Sequence, residues 1–236
     1  MASGELKRLI INLGPRHTKS EFASNLFPSW FLGKFPNKKV IQCSNTADLA
    51  VGFGRKVRNL VDSDAYQSVF PGIGLQSDSK AAGRWATNKG GDYFAIGVGG
   101  TVTGKGADLL IIDDPHSEQE AKLASNDPEV FDNVYEWYTS GPRQRLQPGG
   151  AIVLVMTRWS DRDLTGKILK SSSGEEWEVI ELPAIMPSGN PLWPEFWPLQ
   201  ELLAVKEEIG IYKWNAQYQQ TPTGEEGAIV KREWWK

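Results

Sequence analysis

The sequence predicts an α/β fold with a mostly parallel central sheet flanked by helices and a helical, linker-like appendage at its C-terminal end. Three stretches carry that expectation. Leu9 to Leu13 holds four apolar residues, is broken by Gly14 and Pro15, and is followed by a helical pattern from Lys19. That order reads as a short buried strand, a tight turn and a helix. Leu109 to Ile112 is continuously apolar, as a parallel strand covered on both faces requires, because neither face meets water. Pro148-Gly-Gly150 leads into Ala151 to Met156, the most apolar strand candidate in the chain.

The first stretch has the geometry of a phosphate-binding loop. In Gly14-Pro-Arg-His-Thr-Lys-Ser20 the backbone amides at a helix start face phosphate oxygens. The lysine neutralises β/γ charge and the serine hydroxyl ligates magnesium. The fit to the G-x-x-x-x-G-K-[ST] pattern is partial. Leu13 and Thr18 occupy the two glycine positions, and Gly14 is the only glycine in the loop. A plain strand-to-helix turn is the alternative reading of this stretch taken alone.

The second half of the signature lies about 90 residues on, where the Leu109 to Ile112 run ends in Asp113 and Asp114 and is stopped by Pro115. In P-loop NTPases the first carboxylate at such a strand end holds Mg²⁺, usually through water, and its neighbour polarises the attacking water. An Asp-Asp-Pro turn in solvent is the bland alternative. Both halves in this order favour nucleotide chemistry with ATP and Mg²⁺.

Composition narrows the class. The 236 residues suit one large domain or a domain with an appendage, and 40% hydrophobic residues with ten tryptophans suffice for a core. No 18-residue apolar run and no signal peptide are visible, so no membrane partner is expected. Cys43 is the single cysteine, which excludes a disulfide framework and a cysteine-based zinc site; Val40 to Cys43 reads as a strand with a buried thiol. A net charge of −3 confers no overall attraction to DNA, so any such contact needs a local basic patch.

The remaining elements follow from caps and breakers. Phe22, Leu26 and Trp30 lie on the first helix, and Pro36-Asn-Lys-Lys39 turns the chain. Ser44, Asn45 or Thr46 caps a second helix running to about Val61, with Leu49, Phe53, Val57, Leu60 and Val61 as its apolar stripe. Arg55, Lys56 and Arg58 lie off that stripe, and a solvated face and a DNA or nucleotide contact are both open. Residues 62–106 read as strands and hairpins, with a turn at Asn88 to Asp92 between Arg84-Trp-Ala-Thr87 and Tyr93-Phe-Ala-Ile96. A glycine-rich loop, Gly97 to Gly106, follows. Glu118 to Ser125 is a short helix, and Asp127-Pro128 starts another through Val130, Val134, Trp137 and Tyr138. Arg143 and Arg145 sit in a loop, Leu164 to Leu169 is a helix, and Trp177 to Leu182 is a strand. From Pro183 five prolines punctuate a tryptophan-bearing loop; helices over Leu199 to Ile209 and Ile211 to Gln219 precede a linker from Thr221. These shifts divide the chain into a core (1–182), a lid or linker subdomain (183–220) and a terminal linker (221–236).

With these stretches placed, the chain resembles the ATPase domain of the large terminase subunit of tailed phages. The resemblance is carried by Gly14-Pro-Arg-His-Thr-Lys-Ser20, Phe53-Gly-Arg-Lys-Val-Arg58, Thr103 to His116, Met156-Thr-Arg-Trp159 and Trp214-Asn-Ala-Gln-Tyr-Gln-Gln220. They span almost the whole chain in family order. The resemblance implies a P-loop NTPase core of the RecA/ASCE type, with the Ala151 to Met156 strand between the two Walker strands. It implies that Gly14, Pro15, Arg16, His17, Thr18, Lys19 and Ser20 bind the nucleotide, that Ser20 and Asp113 hold Mg²⁺, and that Asp114 orients the attacking water. Thr157 would lie near the γ-phosphate, in the segment that couples hydrolysis to motion. It further implies ATP-driven translocation of double-stranded DNA into a procapsid, in the host cytoplasm during virion assembly. The partners implied are further copies in a ring, pentameric by the resemblance, the portal protein and the small terminase subunit. A nuclease domain normally follows, and this chain ends where it would begin.

Three positions depart from the family pattern. Thr18 replaces a glycine before the lysine. Asp114 stands where glutamate is usual, one methylene shorter, with Glu118 and Glu120 as substitutes. Lys105 stands where relatives often carry an arginine finger; Arg16, Arg143 and Arg145 are rivals for that role, Arg16 first. A nucleotide-binding adaptor with weak hydrolysis is the alternative function, and a helicase fragment a third.

Overall fold

The computed structural model describes residues 4–124, 127, 129–171 and 177–223. Among the described residues eight strands form one sheet: β1 (Arg8–Leu13), β2 (Lys39–Ser44), β3 (Leu75–Ala81), β4 (Arg84–Thr87), β5 (Asp92–Gly97), β6 (Ala107–Asp113), β7 (Leu146–Met156) and β8 (Glu178–Leu182). Their spatial order is β3-β4-β5-β2-β6-β7-β1-β8. From β5 to β8 every neighbour is parallel, and β4 joins β5, and β3 joins β4, by antiparallel pairing. The strand read as the most apolar, β7, does lie between β6 and β1.

The helices are α1 (Phe27–Lys34), α2 (Ala47–Val61), α3 (Asp64–Val69), α4 (Glu118–Ala124), α5 (Glu129–Ser140), α6 (Leu164–Ser171), α7 (Leu199–Ile209) and the short α8 (Ile211–Lys213). A π-helical turn, Glu21–Leu26, leads into α1, and a second, Trp214–Tyr218, follows α8. Alternate residues of β6 explain its unbroken apolar run. Leu110 and Ile112 pack with Ile152, Leu154 and Ile10 under α5 and α6, through Val134, Tyr138, Leu164 and Ile168. Leu109 and Ile111 face the other way, against Phe31 and Leu32 of α1, Val57 and Val61 of α2 and Tyr66 of α3. Each such side chain contributes about 1.5–3 kcal/mol by leaving water. Residues 183–220 add a smaller cluster around Ala184, Leu202 and Trp214.

Local expectations are met at most boundaries. Thr46 caps α2, its Oγ1 accepting from the Leu49 amide at 3.3 Å, and Cys43 is fully buried on β2. Three differ. The buried stripe of α2 is Ala50, Gly54, Val57 and Val61, with Leu49 53% exposed. Gly54 decides this rotation: a Cβ there would stand 2.4 Å from the Ala82 carbonyl, and its own carbonyl accepts from Trp85 Nε1 at 3.2 Å. The helix therefore turns Gly54, the second of its two glycines, onto the Ala82-Gly83 turn and β4 rather than its bulkiest residues. Within 62–106, read as strands and hairpins, Ser63 caps the helix α3. β7 begins at Leu146, five residues before Ala151, because Pro148-Gly-Gly150 lies within the strand rather than leading into it. Ser125, Pro128 and 224–236 lie outside the described residues, as does the terminal linker beyond Thr223.

Candidate active site

Parallel order brings the C-terminal ends of β1, β6 and β7 to one edge, where open α/β sheets place ligand contacts. Asp113 pairs in register with Val155 and Asn12 with Met156, so the loop after Leu13 and the carboxylates after Ile112 are neighbours.

The loop is tightly wound. Arg16 and Thr18 both have positive φ, at 60° and 62°, a region that costs an L-residue about 1–2 kcal/mol. Thr18 thus adopts the conformation that the missing glycine would have taken freely. Its carbonyl accepts from the Glu21 and Phe22 amides, and its hydroxyl donates to the His17 carbonyl at 2.7 Å. His17 turns inward. Its ring is stacked on Trp197, 5.9 Å between centroids, and its Nδ1 donates to the Pro15 carbonyl at 2.8 Å, since a carbonyl can only accept. Burial, more than any neighbouring charge, holds this imidazole below its ordinary pKa. The imidazole is therefore a brace between the loop and the 183–220 segment. Gly14 sits against the same segment, close to the Gln217 carbonyl.

Lys19 and Ser20 open the helix beneath the loop and face the two aspartates. Ser20 Oγ donates to Asp113 Oδ1 at 2.9 Å, and Ser24 Oγ donates to Asp113 Oδ2 at 2.6 Å. Asp113 is 2% exposed. Burial, then the charge of Asp114, pushes its carboxyl up to about 7 against the pull of the two hydroxyls and Lys19. Asp114 has φ 42°. Its Oδ2 pairs with Lys19 Nζ at 2.8 Å and its Oδ1 accepts from the Thr157 amide at 2.9 Å. Thr157 Oγ1 in turn donates to the Leu13 carbonyl at 3.1 Å, which joins the ends of β1, β6 and β7.

Magnesium fits this donor set. It prefers hard oxygens and retains waters and phosphates as ligands; Ser20 and Asp113 supply a hydroxyl and a buried carboxylate whose raised pKa marks an under-compensated anion. Among the described residues no three His, Cys, Asp or Glu side chains cluster as a metal site, so a cation here would draw its remaining ligands from solvent and phosphate.

Not every expected residue is assembled here. Lys105 precedes β6, at the opposite end of the strand from Asp113; its ammonium lies 3.2 Å from Asp92 and 5.3 Å above the Phe94 ring. Arg143 and Arg145 lie in the turn Pro142–Arg145 before β7, at that same far edge. Arg16 is on the loop and exposed. Glu120 is committed elsewhere: with Ser117 it forms a reciprocal helix cap, and it also accepts from Asn45 Nδ2 at 3.0 Å. Glu118 is exposed.

Sequence reasoning missed Ser24, although its spacing of four from Ser20 places both hydroxyls one helical turn apart. It missed Gln220 too. That residue is 1% exposed with φ 59°, and its Oε1 accepts from the Arg158 amide at 3.2 Å. Arg158 is itself buried and bound to Asp163, which caps α6 through the Gly166 amide. The 183–220 segment is thereby tied to the residue next to Thr157.

No protein-family model matches the chain, and no curated protein sequence does. Solved structures do match. The ATPase domain of the large terminase of Thermus phage P74-26 aligns with a TM-score of 0.56 and 17% identity, over 93% of this chain and 90% of that one. A mutant form of the same domain gives 0.57 and 16% over the same shares. The large terminase of bacteriophage HK97 aligns at 0.48 and 11%, over 92% of this chain and 47% of that one. The structures matched are of the kind that the motifs resemble: the chain has the fold of the large-terminase ATPase domain of Thermus phage P74-26.

Proposed function

We propose that this chain is an ATP-hydrolysing motor domain that drives double-stranded DNA into a viral procapsid. The observation that carries the reading is the meeting of Lys19, Ser20, Asp113 and Asp114 at adjoining strand ends, beside a loop tightly wound by positive φ at Arg16 and Thr18. Phosphoryl transfer asks little of a protein beyond positioning and charge neutralisation. The loop N–H groups from Gly14 to Ser20, Pro15 having none to give, and the Lys19 ammonium hold the β- and γ-phosphates. Ser20 and Asp113 would hold Mg²⁺, which when bound would neutralise charge developing on the phosphate oxygens. Asp114, set by the Thr157 amide, orients the attacking water. Thr157 links that carboxylate to β1 and, through Arg158 and Gln220, to the 183–220 segment. This is a route by which hydrolysis is felt outside the core.

Arg16 is our first choice for the cation beside the γ-phosphate. Lys105, at the far end of β6, can serve only the site of another copy in a ring. The portal protein and the small terminase subunit are the proposed partners on the procapsid, and the host cytoplasm the place of assembly. The test is Mg²⁺-dependent ATP turnover across protein concentration, with Lys19→Ala alongside. Turnover per chain that rises with concentration and vanishes in the variant supports a motor with a cation supplied in trans. Turnover unchanged by Lys19→Ala overturns the reading.

A further inference from the structure

Asp113 is gripped on both oxygens, and only one grip belongs to the loop. Ser20 takes Oδ1 and Ser24 takes Oδ2. Behind Ser24 stands Gln42 of β2, the strand beside β6, with its Nε2 3.2 Å from Ser24 Oγ and 3.2 Å from the Cys43 carbonyl. The Cys43 carbonyl can only accept, so the Gln42 atom facing it is the amide nitrogen. That same nitrogen donates to Ser24 Oγ, leaving the Ser24 proton directed to Asp113 Oδ2. All three residues are essentially excluded from water, Ser24 and Gln42 at 0% and Asp113 at 2% exposure, so solvent offers no alternative partner.

Resting on the nucleotide reading above, we infer that Ser24 and Gln42 are positioning residues for the magnesium carboxylate. They engage Oδ2, so that Asp113 presents Oδ1, the oxygen on the Ser20 side, to the cation. Ser24 lies in the π-helical turn Glu21–Leu26, a local widening that is frequent at functional sites. Outer partners that orient a ligating carboxylate govern metal affinity without touching the metal.

The experiment uses the 236-residue chain with Ser24→Ala and Gln42→Met, Mn²⁺ as the cation followed by electron paramagnetic resonance in excess ADP, and fluorescent ADP binding in EDTA. Both variants are expected to weaken nucleotide-dependent Mn²⁺ binding by about tenfold while ADP affinity in EDTA stays at the wild-type level. A merely structural role would move both readings together, so parallel loss of ADP binding in EDTA overturns the inference. Unchanged Mn²⁺ affinity in both variants overturns it as well. If the wild-type chain shows no nucleotide-dependent Mn²⁺ binding, or Lys19→Ala leaves ADP binding intact, it is the functional reading that fails. If Ser24→Ala does not fold, Gln42→Met, which leaves the hydroxyl in place but undirected, decides the matter.

Discussion

Lys19 Nζ lies 2.8 Å from Asp114 Oδ2, so the lysine of the loop after β1 and the carboxylate just past the end of β6 form a direct ion pair. Asp114 is fixed on its other oxygen by the Thr157 amide, which defines where its charge can act. We expect Asp114→Asn to keep the hydrogen bond from Thr157 but lose the base-like charge. Turnover should fall by about 10²–10⁴-fold, the usual contribution of a positioned acid–base group. Nucleotide affinity should change little. Steady-state hydrolysis beside fluorescent-nucleotide titration separates the two effects.

Asp113 provides a pH signature. Its carboxyl is pushed up to about 7 by burial and by Asp114, so between its ordinary range and about 7 the folded chain holds a proton that the unfolded chain has released. Stability in the absence of divalent cations is therefore expected to fall as pH rises through that window. Mg²⁺ binding, which needs the carboxylate, should strengthen over the same interval and release a proton. Urea denaturation at pH 5 and pH 8 with and without Mg²⁺ checks both, and Asp113→Asn should flatten the dependence.

Thr18 carries strain that glycine would relieve. At φ 62° a β-branched residue is disfavoured, while glycine adds entropy to the unfolded chain. The two effects partly cancel, and Thr18→Gly is expected to raise stability by up to about 1 kcal/mol. A lower stability in chemical denaturation would show that the Thr18 hydroxyl bond to the His17 carbonyl outweighs the strain.

Trp197 shields His17. Because burial is the main cause of the low imidazole pKa, Trp197→Ala should let it rise toward its ordinary value. The His17 ring signals followed by NMR titration report this directly. An unmoved pKa would mean that the loop, rather than the stacked indole, keeps water away.

How much of this was legible beforehand follows the range of the interaction. The continuous apolar runs at Leu109 to Ile112 and Ala151 to Met156 announced strands buried on both faces, because that pattern depends only on each residue's distance from water. The loop from Gly14 to Ser20 and the carboxylates Asp113 and Asp114 were readable for the same local reason: each half carries its chemistry within a few neighbouring residues. The departures at Thr18 and Asp114 were visible, but not their consequences.

What the sequence by itself determined, then, was an α/β chain with the two halves of a candidate nucleotide site and an ordered set of terminase-like motifs. Only the tertiary structure decided that Ser24 and Gln42 close on Asp113, that His17 is spent on Trp197, and that Lys105 stands at the wrong end of β6 for its own site. It also decided that α2 buries Gly54 rather than Leu49. Apolar periodicity records whether a side chain leaves water, not which surface it meets. Strand order, loop winding and the close approach of backbones settle that, and they exist only once distant segments have packed.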